Sequence, residues 1–162
     1  MQIIIYILVG FIAQMIDGAL GMAYGVSSNT FLRMTGVSSA ISSFCVHISE
    51  VFTTLVSGIS HLKLKNVDKN LMLRLVIPGI IGGILGACLL SEYSNPIIDL
   101  LIDIYLIIMG IIIISKIFKK NKAKQNSNKF IYGLGLAGGF SDALGGGGWG
   151  PIVNSTLIAS GN

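Results

Sequence analysis

Apolar residues run along this chain in long blocks, broken by short polar connections, rather than at the alternating spacing of a half-buried strand. Three blocks are long enough to cross a hydrocarbon layer about 30 Å thick, which takes about 20 residues of helix. Ser38 to Ser60 carries one charge, Glu50, and Leu71 to Leu90 carries only Arg74. Ile97 to Phe118 is rich in Ile and Leu, with Asp99 and Asp103 in its first turns and Lys116 in its last. Two further apolar regions, Ile3 to Leu32 and Phe130 to Ile158, are too long and too rich in glycine to be simple helices. No basic residue precedes the first apolar run, which argues against a cleaved signal peptide.

Composition sharpens this picture. Of 162 residues, 52 % are hydrophobic, 21 are glycine and only 11 % are charged, and the mean hydropathy is +0.80. Soluble domains carry about a quarter charged residues, so a soluble enzyme, a disordered chain and a disulfide scaffold are excluded. The net charge of +4 does not point to nucleic acid, because ten of the eleven Lys/Arg residues lie in stretches 63–74 and 116–129. Basic residues in short loops mark the cytoplasmic side, so the connections 61–70 and 116–129 are expected inside. The connection 91–96, with Glu92 and no basic residue, is expected outside. Cys45 and Cys88 both fall inside spans, where packing is the expected role.

Shifted by 125 positions, the two glycine-rich regions overlay: Gly10 on Gly135, Asp17 on Asp142, Gly21 on Gly146, Tyr24 on Trp149, Gly25 on Gly150 and Asn29 on Asn154. The chain therefore reads as a first transmembrane repeat (1–118), a basic cytoplasmic loop (119–129) and the start of a second repeat (130–162). A complete second copy would extend further, so the sequence is expected to be truncated or to be half of a larger assembly, the partner being a second copy in a homo-oligomer or a missing second half. Paired glycine-interrupted segments in corresponding halves point to a transporter's binding site. Glycine lets the backbone leave helical geometry, unwound backbone at membrane depth survives where it lines a cavity or is buried in protein, and the start of a half-helix favours an anion. Gly145 to Gly148, followed by Trp149, Gly150 and Pro151, is the strong break signal; Gly18 to Gly25 is the milder one. Each broken segment either crosses the bilayer, giving four spans per unit and parallel repeats, or re-enters, giving three spans and inverted repeats.

Ionisable groups within a membrane are costly and are functional candidates by default. Asp17 and Asp142 are duplicated by the repeat; each is expected either to cap the half-helix after its break or to carry a proton beside the substrate. Gln14, three residues before Asp17, could add a hydrogen bond. In the second span Ser43, His47, Glu50, Thr54 and Ser57 fall on one helical face, broadened by Ser39, Ser42, Ser49 and Thr53. The Ser and Thr residues read as a seam of hydrogen bonds between helices, and His47 with Glu50 as a pair able to share a proton. These two and the distant His61 do not make a metal-ligand set, and no cofactor is called for. No Ser-His-Asp or Cys-His nucleophile arrangement is readable, which argues against an enzyme. Gly79, Gly82, Gly83 and Gly86 are small residues at helical spacing and predict close helix packing, with Pro78 bending that helix.

Four stretches resemble the sulfite exporter TauE/SafE family of bacterial permeases: GFIAQMIDGALGMAYGVSS (10–28), SSFCVHISEVFTTLVSGISHLKLKNVD (42–68), PGIIGGILGA (78–87) and GLAGGFSDALGGGGWGPIVNSTL (135–157). The resemblance covers essentially the whole chain. It implies a two-repeat transporter of seven or eight spans in the bacterial plasma membrane, with sulfur-containing or other organic anions as substrates. The expected fold is an all-α polytopic bundle built from two repeats with broken or re-entrant helices. The expected function is alternating-access transport of a small anion, coupled to protons. The candidate site is Asp17, Gly21, Gly25, Asn29, His47, Glu50, Asp142, Gly146, Gly147, Trp149, Gly150 and Asn154. The alternative is a non-transporting assembly or sensor subunit, which predicts no cavity at the breaks.

Overall fold

The computed structural model describes residues 2–93, 95–117 and 128–160. Among these the chain is an all-α membrane protein, in the order α1 (Gln2–Leu20), α2 (Tyr24–Met34), α3 (Ser39–Lys63), α4 (Lys69–Glu92), α5 (Pro96–Ile117), α6 (Asn128–Gly145), a π-helical turn (Trp149–Asn154) and α7 (Ser155–Ser160). The spans expected at 38–60, 71–90 and 97–118 are α3, α4 and α5. With α1, four helices are long and apolar enough to cross a membrane. The outer surface is correspondingly greasy: Phe52 is 68 % and Ile97 70 % exposed. A solvent of lipid tails accepts such positions, whereas water would not. Most of the basic connection expected at 116–129 lies outside the described residues.

Both glycine-rich regions break, and both double back. Tyr6, Val9 and Gly10 of α1 line the same groove as Ser28 and Leu32 of α2, so the two helices lie side by side around the turn at 21–23. On the other hairpin, a Cβ at Gly138 of α6 would strike the Val153 side chain, and Ile131 and Leu134 pack in one cluster with Val153 and Leu157. Each break is thus a hairpin and not a bend within one continuous helix. The second hairpin's return begins as a π turn. The Gly148 carbonyl accepts from both Ile152 (3.2 Å) and Val153 (3.0 Å), the second bond spanning five residues.

The closest packing joins α4 to α6, through the glycines the sequence marked. A Cβ at Gly135 would fall on the Leu75 carbonyl, at Gly139 on that of Gly79, at Gly82 on that of Leu136 and at Gly86 on that of Phe140. Partner numbers rise together, so α4 and α6 run parallel. Their N-termini, each following a basic connection, therefore share one side of the bundle. The helix α4 continues through Pro78, which is buried against α6. Against the first hairpin, α5 lays Ile102, Leu106, Met109 and Ile113 onto Ala23 and Val26. Cys45 and Cys88 are free and exposed rather than packed, a correction that follows from the lipid-like surroundings of an outward-facing position, where a thiol needs no protein cover.

Candidate functional site

The two breaks are built alike. Gly21 and Gly146 each adopt φ +69°, a conformation that costs an L side chain about 1–2 kcal/mol. At each, the glycine N–H returns to the carbonyl four residues back, Gly21 to Asp17 (2.5 Å) and Gly146 to Asp142 (2.6 Å). The aspartate side chain then caps the returning segment. Asp17 Oδ1 accepts from the N–H groups of Ala23 (2.7 Å) and Tyr24 (3.1 Å), and Asp142 Oδ1 from those of Gly148 (3.1 Å) and Trp149 (3.3 Å). Capping, one of the two roles expected of these aspartates, is thus visible in both. It also means that four of the amides opened by the breaks are already engaged by carboxylates.

The breaks meet each other. A Cβ at Gly25 would land on the backbone of Gly146, and one at Gly150 on the backbone of Met22. With the 125-residue shift Gly150 is the counterpart of Gly25 and Gly21 that of Gly146, so the two contacts correspond to within one residue, Met22 standing beside Gly21. Where they meet, a cavity of about 350 Å³ opens. Asp17, Gly21, Tyr24 and Gly25 line it from the first hairpin, Asp142, Gly146, Trp149, Gly150 and Asn154 from the second, and Glu50, Thr53, Thr54 and Ser57 from α3. Gln14 completes its wall, and among the described lining residues no Lys or Arg offsets the three carboxylates.

The polar stripe of α3 divides in two. Toward its N-terminus it is the expected seam: Ser39 bonds Asp99, the Ser42 hydroxyl donates to Asn29 Oδ1, and the Ser43 hydroxyl donates to the Ala143 carbonyl (2.6 Å). Farther along, Thr53 and Thr54 return their hydroxyls to their own helix and face the cavity. His47 borders the site from an adjoining crevice between α3, α4 and α6. Its Nδ1 lies 2.7 Å from the Ser43 carbonyl, which can only accept, so Nδ1 carries hydrogen. Its Nε2 faces Asp142 Oδ2 at 3.5 Å. Ligand atoms of His47, Glu50 and Asp142 all lie within 4.8 Å of one another, Asp142 being supplied by α6.

Two expected site residues stand elsewhere. Asn29 is fully buried against Ser42, and Gly147 packs on Tyr105 and Met109. Sequence reasoning also missed Tyr105, whose hydroxyl donates to the Ser141 carbonyl (3.0 Å); nothing marks one aromatic in an Ile-rich helix. It missed the Arg33 cluster too. Arg33 Nε and Nη2 each bond Asp103 at 2.8 Å, and Nη1 lies 3.3 Å from Asp99, tying α2 to α5 with the planar fork that suits two carboxylates. The signal was present: the one Lys/Arg outside the basic stretches, and two aspartates one helical turn apart.

An inside-out helical bundle with two opposed broken hairpins defines an integral membrane protein whose polar chemistry is gathered at the breaks. The chain belongs to the family described as sulfite exporter TauE/SafE, whose profile matches residues 6–162. It is 40 % identical over 164 residues to the probable membrane transporter protein YtnM of Bacillus subtilis (strain 168), covering 98 % of this chain. The chain spans about half (55 %) of that relative's length. No solved structure matches.

Proposed function

We propose that this chain forms part of a permease moving a small anion, sulfite or another organosulfur or organic anion, across the bacterial plasma membrane by alternating access. The observation that carries the reading is the cavity between the two capped breaks. Its wall includes Gly25 and Gly150, each one residue beyond the capped amides at the start of a returning segment, where the helix dipole favours negative charge. The rival reading of a non-transporting subunit predicts no hollow there, and the cavity weighs against it. Asp17, Glu50 and Asp142 would repel an anion unless their charge is offset, so the anion enters with a compensating cation, a proton in the simplest scheme. The connections 61–70 and 116–129 face the cytoplasm in this reading, and residues 130–162 begin the second repeat.

The test is uptake of radiolabelled sulfite into lipid vesicles containing the complete permease of which this chain is part, with Glu50→Gln plus Asp142→Asn as the variant. Flux above protein-free vesicles that falls in the variant is expected. No flux of sulfite or a simple alkyl sulfonate would overturn the permease reading, and full flux in the variant would overturn the charge-compensation claim.

A further inference from the structure

We propose that His47, Glu50 and Asp142 hold a divalent first-row metal ion, such as Zn²⁺ or Mn²⁺, which presents an open coordination position to the anion in the cavity. The proposal rests on the reading of this cavity as an anion site and names what offsets its charge. Three observations converge. The donors are one imidazole nitrogen and two carboxylates, drawn from α3 and α6, with ligand atoms within 4.8 Å of one another. This is a borderline set that suits such ions, and three protein ligands with one place left open is the pattern of metal sites that bind a further group.

The separation of His47 Nε2 from Asp142 Oδ2, an ion-pair distance, also leaves room for an ion between the two atoms. His47 Nε2 and Asp142 Oδ2 are 3.5 Å apart, long for a hydrogen bond. Two atoms each about 2.1 Å from a tetrahedral ion stand about 3.4 Å apart. The third observation is orientation. The Ser43 carbonyl holds His47 Nδ1–H at 2.7 Å, leaving Nε2 to face the cluster, as an outer partner does for a ligating histidine. Asp142 divides its work likewise: Oδ1 caps the break through Gly148 and Trp149, and Oδ2 is turned to His47. A divalent ion there cancels two of the three carboxylate charges, leaving Asp17 to its cap, and offers an oxyanion a ligand position in place of two bare carboxylates.

The experiment is equilibrium dialysis of the purified chain in detergent against Zn²⁺ alone, with the bound metal counted by mass spectrometry. One ion per chain is expected, with affinity weakened at least about tenfold in His47→Gln and in Glu50→Gln and unchanged in His61→Asn. Asp142→Asn is the sharper variant, since the amide oxygen keeps the cap while the second ligand oxygen is lost; it should melt at nearly the parent temperature and bind no ion. Binding that does not differ among the parent, His47→Gln and Glu50→Gln overturns the proposal. Sulfite flux in the vesicles of the complete permease, stripped of metal by a chelator, separates the two readings. Undiminished flux overturns the metal and leaves the permease, whereas stoichiometric metal binding without flux supports the site and overturns the permease.

Discussion

At Gly21 and Gly146 the backbone makes the same turn, and in both places an aspartate four residues upstream caps the returning segment. What surrounds the two turns differs. A Cβ added at Gly18 or Gly21 would meet open space. On the other hairpin, one at Gly145 or Gly147 would strike the Tyr105 ring, one at Gly146 the backbone of Gly25 and one at Gly148 the Gly138 carbonyl. The break itself therefore needs one glycine and one aspartate. The extra glycines of the second copy record crowding by neighbouring backbone and by Tyr105, which is why Leu20, Met22 and Ala23 suffice in the first.

Substitutions can break or sharpen this contrast, each read as a shift of the thermal unfolding midpoint in detergent. Gly146→Ala adds a backbone clash to the positive-φ cost and should lose about 3 kcal/mol; a loss no larger than that of Gly21→Ala would erase the distinction drawn above. Asp142→Ala strips the cap from two buried amides and should cost about 2 kcal/mol, with Asp142→Asn recovering most of it. Gly21→Ala pays only for conformation and should cost about 1 kcal/mol. Gly18→Ala, in a helix with nothing against it, should raise stability by about half a kcal/mol.

The spans were readable because lipid imposes one requirement, a run of apolar residues, that composition displays directly. The breaks were readable for the opposite reason, since Gly21, Gly146 and the paired aspartates are residues a continuous apolar helix does not call for. The doubling back was not, because hydropathy records depth and not the direction in which the chain leaves a turn. Of the candidate site, Asp17, Glu50, Asp142 and the glycines they flank came from the repeat and from the rule that buried charge is costly. The partners of those residues did not. His47 meets Asp142 across most of the chain, and Asn29 turns to Ser42 although its counterpart Asn154 lines the cavity. Arg33 drew no attention alone because what gives it meaning is on α5.

The seam between α4 and α6 has a mechanical consequence. Helices slide past one another when interposed side chains can settle into new grooves, but here carbonyls lie directly on glycine Cα atoms and no such layer exists to be rearranged. Those two rods are consequently welded into a plate. Any rocking of this bundle must pivot on the other seams, where α3 leans on the plate through hydroxyls and a histidine that can let go and take hold again.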